Sequence, residues 1–171
     1  MNELYANVYA DLYAMEFIGL RYFNVFGPKQ NPEGPYAAVI PLFIETLLNG
    51  RSPVINGDGK HSRDFTYITN AVQANILSLF TGDKKAINQV YNIAYGQQTS
   101  LQELVDHLRK ISGSSVEVVY GPERTGDVKH SLADITKAKN LLNYHPDVSV
   151  EQGLKKAFEW YKTYLKNTVL K

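Results

Sequence analysis

The stretch Gly19-Leu20-Arg21-Tyr22-Phe23-Asn24-Val25-Phe26-Gly27-Pro28 constrains the fold more than any other part of the chain. An apolar run over 17–25 reads as a buried strand, and it gives way to an amide, a glycine and a proline. Open α/β sheets bind ligands outside the carboxyl ends of their strands, so a polar amide delivered there marks a site as well as a core element. Ahead of it, Leu4, Tyr5, Val8, Leu12 and Met15 recur at helical spacing. A helix therefore feeds a strand.

The remaining pattern alternates. Proline and small residues precede a helix over 39–48 that stops at Asn49-Gly50, and a strand over 52–55 leads into the loop Asn56-Gly57-Asp58-Gly59. Residues 64–68 read as extended, followed by a helix over 69–80 with Thr69 as its cap and an end near Gly82. A second buried strand is expected over 89–94. Ser100-Leu101-Gln102-Glu103 has the capping-box pattern and opens a helix to Ile111, ended by Gly113. A strand over 116–120, a short helix capped by Asp134 and reaching Leu142, and a last helix capped by Ser149-Val150-Glu151-Gln152 and running to 166 complete the chain. No repeat and no Pro-, Gly- or Ser-rich linker divides it, which predicts a single α/β unit.

Composition narrows the function classes. Eighteen basic residues against seventeen acidic ones give a net charge of +1, so no whole-chain field exists to hold nucleic acid or an anionic membrane. Any anion must be held by a local site. The absence of cysteine removes disulfides, thiol nucleophiles and thiolate metal sites, and it fits a reducing cytoplasm. His61, His107, His130 and His145 share no metal-ligand spacing, so no metal site is expected. The apolar runs fall short of the roughly eighteen residues a membrane span needs, and no basic, apolar leader opens the chain. A soluble cytoplasmic protein follows. Tyr5, Tyr9 and Tyr13 recur at helical spacing and suggest a packed interface.

Several polar residues stand where chemistry is possible. The Asn24 amide can donate to a phosphate oxygen or satisfy its own turn. Small residues in Pro35-Tyr36-Ala37-Ala38-Val39-Ile40-Pro41 put free backbone N–H groups at a helix start, where a ligand can approach closely. Val54 and Ile55 read equally as an ordinary edge strand. Arg63 and Arg124 come from separate loops, and two guanidiniums converging would clamp a diphosphate. The competing reading pairs Arg63 with Asp64 or Asp58 and leaves Arg124 solvated. Gly126 permits a tight turn between Arg124 and Asp127, and Ser131 can support the cap at Asp134.

The order of these segments, from Asn2-Glu3-Leu4-Tyr5 through the Arg21–Pro28 stretch and Asn88-Gln89-Val90-Tyr91-Asn92-Ile93-Ala94 to the last helix, resembles the extended short-chain dehydrogenase/reductase family. Within it, the chain is similar to the carboxyl-terminal half of bacterial UDP-N-acetylglucosamine 4-epimerases. The resemblance implies the C-terminal part of an NAD(P)-binding, Rossmann-like α/β fold. Residues 1–30 would be the remnant of the Rossmann helix and strand, and 31–171 mainly the nucleotide-sugar-binding domain. Tyr22 and Phe23 would lie near the nicotinamide of NAD, and Asn24 against the substrate diphosphate. Ala37, Ala38 and Val39, with Val54, Ile55 and Asn56, would form the uracil pocket. Arg63 and Arg124 would grip the diphosphate, and Asp127 would accept from the ribose hydroxyls. Ser131 would leave room for an N-acetyl group, which favours a UDP-N-acetylhexosamine over a plain UDP-hexose.

The resemblance also implies a homodimer packed through the first helix. The family's glycine-rich cofactor turn and Tyr-x-x-x-Lys catalytic pair have no counterpart in this chain, which opens just past where the Lys would stand. No catalytic residue is therefore assigned, and the chain alone is expected to bind UDP-sugars weakly without turning them over. The alternatives are a nucleotide-sugar dehydratase or decarboxylase of the same superfamily, and a noncatalytic UDP-sugar-binding fragment.

Overall fold

The computed structural model of the chain describes residues 2–31 and 38–169. In chain order the elements are α1 (Asn2–Tyr13), β1 (Ile18–Tyr22), β2 (Val25–Phe26), α2 (Val39–Leu48), β3 (Val54–Asn56), β4 (Ser62–Arg63) and β5 (Thr66–Tyr67). There follow α3 (Ile68–Phe80), β6 (Gln89–Ile93), β7 (Thr99–Ser100), α4 (Leu101–Ser112), β8 (Val119–Gly121), α5 (Thr136–Leu142) and α6 (Val150–Val169).

The continuous strand expected over 17–25 is two strands. Asn24 adopts a left-handed backbone, φ 37°, a conformation asparagine tolerates better than most residues, and this turns the chain from one sheet into another. β1 runs parallel to β6 with Ile18 opposite Gln89 and Tyr22 opposite Ile93. β2 runs parallel to β5, with Val25 opposite Thr66. β3 is parallel to β8 and β4 antiparallel to β7. Parallel strands joined through helices make the α/β architecture that the alternation predicts.

Two apolar cores hold these pieces. In the larger, α2, α4 and α6 pack on one another and over β2 and β5. Phe26 sits at its centre with its ring edge-on to Phe65 and Tyr67, centroids 6.4 and 5.6 Å away, a geometry that suits the aromatic quadrupoles. The smaller core gathers Tyr91, Ile93, Leu142 and Tyr144 around β6 and α5, and Phe23 packs against its edge. The Tyr144 hydroxyl donates to the Ala94 carbonyl at 2.9 Å, and burial pushes its pKa well above the phenol range.

Local signals set some element ends and tertiary pairing sets others. At α4, Ser100 Oγ accepts from the Glu103 N–H at 3.2 Å, and the Glu103 carboxylate accepts from the Ser100 N–H at 2.8 Å. Gly113, at φ 68°, closes the helix as expected. The same reciprocal exchange joins Ser149 and Gln152 at the start of α6. By contrast α3 begins at Ile68, and the expected cap Thr69 lies inside its first turn. Tyr67, held extended by its pairing with Phe26, is the residue that precedes the helix. The strand expected over 116–120 is confined to Val119–Gly121, because β3 offers only Val54–Asn56 to pair with it. Asp134 is not the N-cap of α5, a place held by Ile135, but its Oδ1 accepts from the N–H of Thr136, the first helical residue, at 2.8 Å.

The capping box supports a prediction. Ser100→Ala is expected to cost about 1 kcal/mol at neutral pH in urea unfolding. Hydrogen bonds from Ser100 hold the Glu103 carboxyl below its ordinary pKa, so its contribution is present above the unfolded value and is lost as pH falls through the lowered one. The gap between wild type and Ser100→Ala should therefore narrow on acidification through that range.

α1 stands apart from both cores. None of its residues is buried, and Leu4 and Leu12 are 71% and 70% exposed. Ala14 ends it in a left-handed conformation, and a bidentate ion pair from Arg21 to Glu3, 2.6 and 2.5 Å, ties it to β1. The outer face of α3 is equally apolar and open, with Leu79 and Phe80 78% and 82% exposed.

Candidate functional site

The break at Asn24 opens a cleft of about 350 Å³ between α2, β3, β4 and the loop that follows β8. Phe43, Ile55 and Phe65 give it an apolar floor, Leu42 and Val54 an apolar rim, and Leu101 closes one end. Its polar groups are Asn24, Asn56, His61, Arg63, Arg124 and Asp127. Eight residues singled out from sequence border this one space: Asn24, Val39, Val54, Ile55, Asn56, Arg63, Arg124 and Asp127.

Each polar residue is placed by a local cause. Asn24 Nδ2 reaches the Asp64 carbonyl at 3.4 Å, and its own carbonyl accepts from the Thr66 N–H at 3.2 Å. The residue both fixes its turn and edges the cleft. Arg63, on β4, is half-buried and donates through Nη1 to the Ser62 carbonyl at 2.9 Å and the Lys129 carbonyl at 3.4 Å. The rest of its fork has no partner among the described residues. Neither candidate acidic partner claims it. Asp58 is taken by Lys60, whose backbone N–H donates to Oδ1 at 3.0 Å.

Asp64 is fully buried. Its carboxylate accepts from the N–H groups of Tyr95 and Gly96 at 3.1 Å and of Ala133 at 3.2 Å. Burial raises its pKa while those donors pull it back down. It is a structural hub that joins the β4–β5 segment to the loops after β6 and before α5.

Arg124 is exposed on the loop after β8 and has no ion-pair partner among the described residues. Gly126, at φ 87°, allows the turn in which the Asp127 N–H meets the Arg124 carbonyl at 3.4 Å. That turn sets Arg124 and Asp127 on the same cleft. At the loop's start the Gly57 N–H donates to the Gly121 carbonyl at 3.0 Å, anchoring it to the loop after β3.

The other expected residues lie elsewhere. Ala38 precedes α2 in extended conformation and borders a neighbouring cavity shared with Asn24, Gln30 and Val39. Ala37 lies outside the described residues. Ser131 does not border the cleft, and its N–H donates to the Ser62 carbonyl at 3.1 Å. Tyr22 and Phe23 are also away from it. The Tyr22 hydroxyl donates to Asn75 Oδ1 at 2.9 Å, and the Phe23 N–H to the Ile93 carbonyl at 3.0 Å.

Sequence reasoning missed His61, which it weighed only as a metal ligand. It is buried against the cleft with Nε2 3.3 Å from Glu123 Oε1. Alternation in an extended segment puts residues i and i+2 on one side, so His61 was visible as a companion of Arg63.

Two guanidiniums, a carboxylate that accepts hydroxyls and an apolar slot suit an anion carrying a flat apolar group and a polyol. The model of the NAD dependent epimerase/dehydratase family matches residues 1–94, more than half of the chain. The chain belongs to this family. Its α/β architecture is that of the extended short-chain dehydrogenase/reductases, the Rossmann-like class to which these epimerases belong.

Among curated members of the epimerase/dehydratase family, the chain is 36% identical over 162 residues to a putative UDP-glucose 4-epimerase of Methanocaldococcus jannaschii, covering 95% of the chain and 51% of that protein. It is 37% identical over 149 residues to a UDP-N-acetyl-alpha-D-glucosaminuronate decarboxylase of Bacillus cytotoxicus, covering 84% and 45%. Among solved structures, UDP-N-acetylglucosamine 4-epimerase from Methanobrevibacter ruminantium, in complex with UDP-N-acetylmuramic acid, superposes with a TM-score of 0.88 at 42% identity, covering 95% of the chain and 51% of that structure. The chain thus spans about half the length of the family members it matches. No helix among its described residues is long and apolar enough to cross a membrane.

Proposed function

We propose that this chain is the UDP-sugar-binding half of an NAD-dependent nucleotide-sugar 4-epimerase that interconverts UDP-N-acetylglucosamine and UDP-N-acetylgalactosamine through a 4-keto intermediate. The observation that carries the reading is the convergence of Arg63, Arg124 and Asp127 on a cleft whose floor and rim are apolar. The guanidiniums take the diphosphate, Asp127 accepts from the ribose, and Val54, Ile55 and Asn56 receive uracil together with Ala37, Ala38 and Val39. Gripping the UDP end leaves the hexose free to turn between hydride removal and return, and keeps the intermediate captive. Ser131, outside the cleft itself, would give space for the N-acetyl group at the sugar end of the complete site.

In this reading residues 1–30 belong to the Rossmann part and 31–171 mainly to the nucleotide-sugar domain. The glycine-rich turn and the Tyr-x-x-x-Lys pair come from the other half, and the open apolar faces of α1 and α3 are where such a half and a second subunit would pack. Tyr22 and Phe23, at the carboxyl end of β1, are this chain's contribution beside the nicotinamide. NAD, when bound, supplies the hydride exchange. The chain by itself binds without turnover. Cytoplasmic supply of activated N-acetylhexosamine for surface polysaccharide is the role proposed for the whole enzyme. A UDP-sugar decarboxylase is the second reading, favoured by the identity to the Bacillus cytotoxicus protein.

Calorimetry with UDP tests the grip. Arg124→Ala should weaken binding by about 1.5–3 kcal/mol, the scale of a hydrogen bond to a charged group. Arg63→Lys should also weaken it, because an ammonium cannot reproduce the planar fork. Unchanged affinity in both variants would remove the two arginines from the site. Interconversion of UDP-N-acetylglucosamine by the isolated chain with added NAD would refute the division of labour.

A further inference from the structure

Glu123 stands next to Arg124 on the loop after β8, so a carboxylate flanks the residue proposed to hold an anion. Left free, it would compete with that anion for the guanidinium and repel it. It is not free. Its Oε1 lies 3.3 Å from His61 Nε2 and 3.9 Å from Lys129 Nζ. The His61 side chain is 11% exposed and lines the cleft beside Arg63, whereas Glu123 is 56% exposed. The segment after β8 is also fastened by the Gly57–Gly121 backbone bond at its start, by its own turn between Arg124 and Asp127, and at its far end by the Ser62 N–H, which donates to the Lys129 carbonyl at 2.9 Å.

We propose that Glu123, held by His61, is a positioning residue for Arg124: the pair draws the loop over the cleft and occupies the neighbouring carboxylate, so that the guanidinium faces the ligand's diphosphate. The inference rests on the diphosphate reading above. It assigns work to two residues that the grip alone does not use. The charged groups around His61 are Asp58 and Lys60 from its own loop, Arg63 from β4, and Glu123, Arg124, Asp127 and Lys129 from the segment after β8. Lys60 is engaged by Asp58 at 3.7 Å, which leaves Glu123 as the carboxylate in contact with the ring.

The test uses UDP-glucose, whose diphosphate diester does not titrate near neutrality, and the whole chain. Calorimetry at about pH 7 should show Glu123→Gln binding roughly threefold to fivefold more weakly than the wild type, the range of a partly exposed polar pair. His61→Ala, which offers Glu123 no donor, should lose as much. His61→Gln, whose amide still donates to Glu123, should keep most of the wild-type affinity, a rescue that a merely space-filling role of the ring would not give.

A Glu123→Gln or His61→Ala variant that binds UDP-glucose as tightly as the wild type overturns the latch, and in that case the diphosphate reading survives. Failure of the wild type to bind UDP-glucose at all refutes the diphosphate reading and the latch with it.

Discussion

Asp64→Ala should be the most damaging single substitution in this chain, lowering stability by about 3 kcal/mol or more, since each buried N–H left unpaired costs about 1–3 kcal/mol. The carboxylate serves the N–H groups of Tyr95, Gly96 and Ala133 from a fully buried position. Alanine would strand all of them at once. Asp64→Asn retains one acceptor oxygen but turns an amide N–H₂ toward the same donors, so an intermediate loss is expected. Urea unfolding followed by circular dichroism reads both values. A midpoint for Asp64→Ala within error of wild type would show that water replaces the carboxylate and that the hub is dispensable.

The second large effect is expected at Gly153, where α6 lies against β2 and β5. A Cβ there would stand 2.8 Å from Phe26 Cζ and 2.8 Å from Tyr67 Cδ2. Neither ring can withdraw, because both belong to the larger core. Helix propensity alone predicts that Gly153→Ala stabilises by about 1 kcal/mol. The contact predicts the opposite sign, and Gly153→Val should cost roughly 3 kcal/mol as overpacking forces the helix outward. Thermal melting separates the two accounts. A rise in Tm for Gly153→Ala would mean that α6 shifts without cost.

What the sequence revealed depended on the range of the interaction responsible. The starts of α4 and α6 were legible because Ser100 with Glu103, and Ser149 with Gln152, close their own hydrogen bonds within one turn. The start of α3 was not. Thr69 has the chemistry of a cap, but Tyr67 is fixed as the last extended residue by a strand contributed from the chain's beginning. The split at Asn24 was hidden for the same reason, since apolar periodicity cannot tell which partner strand each half will meet. In the cleft, Arg63 and Arg124 were picked out as guanidiniums able to clamp a diphosphate and Asp127 by the resemblance, and all three border one space. Asp64 entered only as a competing partner for Arg63, because nothing local reports that two distant backbone segments converge on it. His61 was passed over because its spacing was asked only about metals.

The ladders that shape the cleft join residues far apart in the chain: Ile18 with Gln89, Val25 with Thr66, and Val54 with Val119. None is a hairpin, and such non-local parallel pairing slows folding, because loop closure is unfavourable until the contacts that reward it form. The capped helices can form early and locally, whereas β3 waits for β8 and Arg63 waits for the loop bearing Arg124. The cleft's lining runs from Asn24 to Asp127, so a ligand that grips it can assist folding only once the segment bearing Arg124 has joined β3.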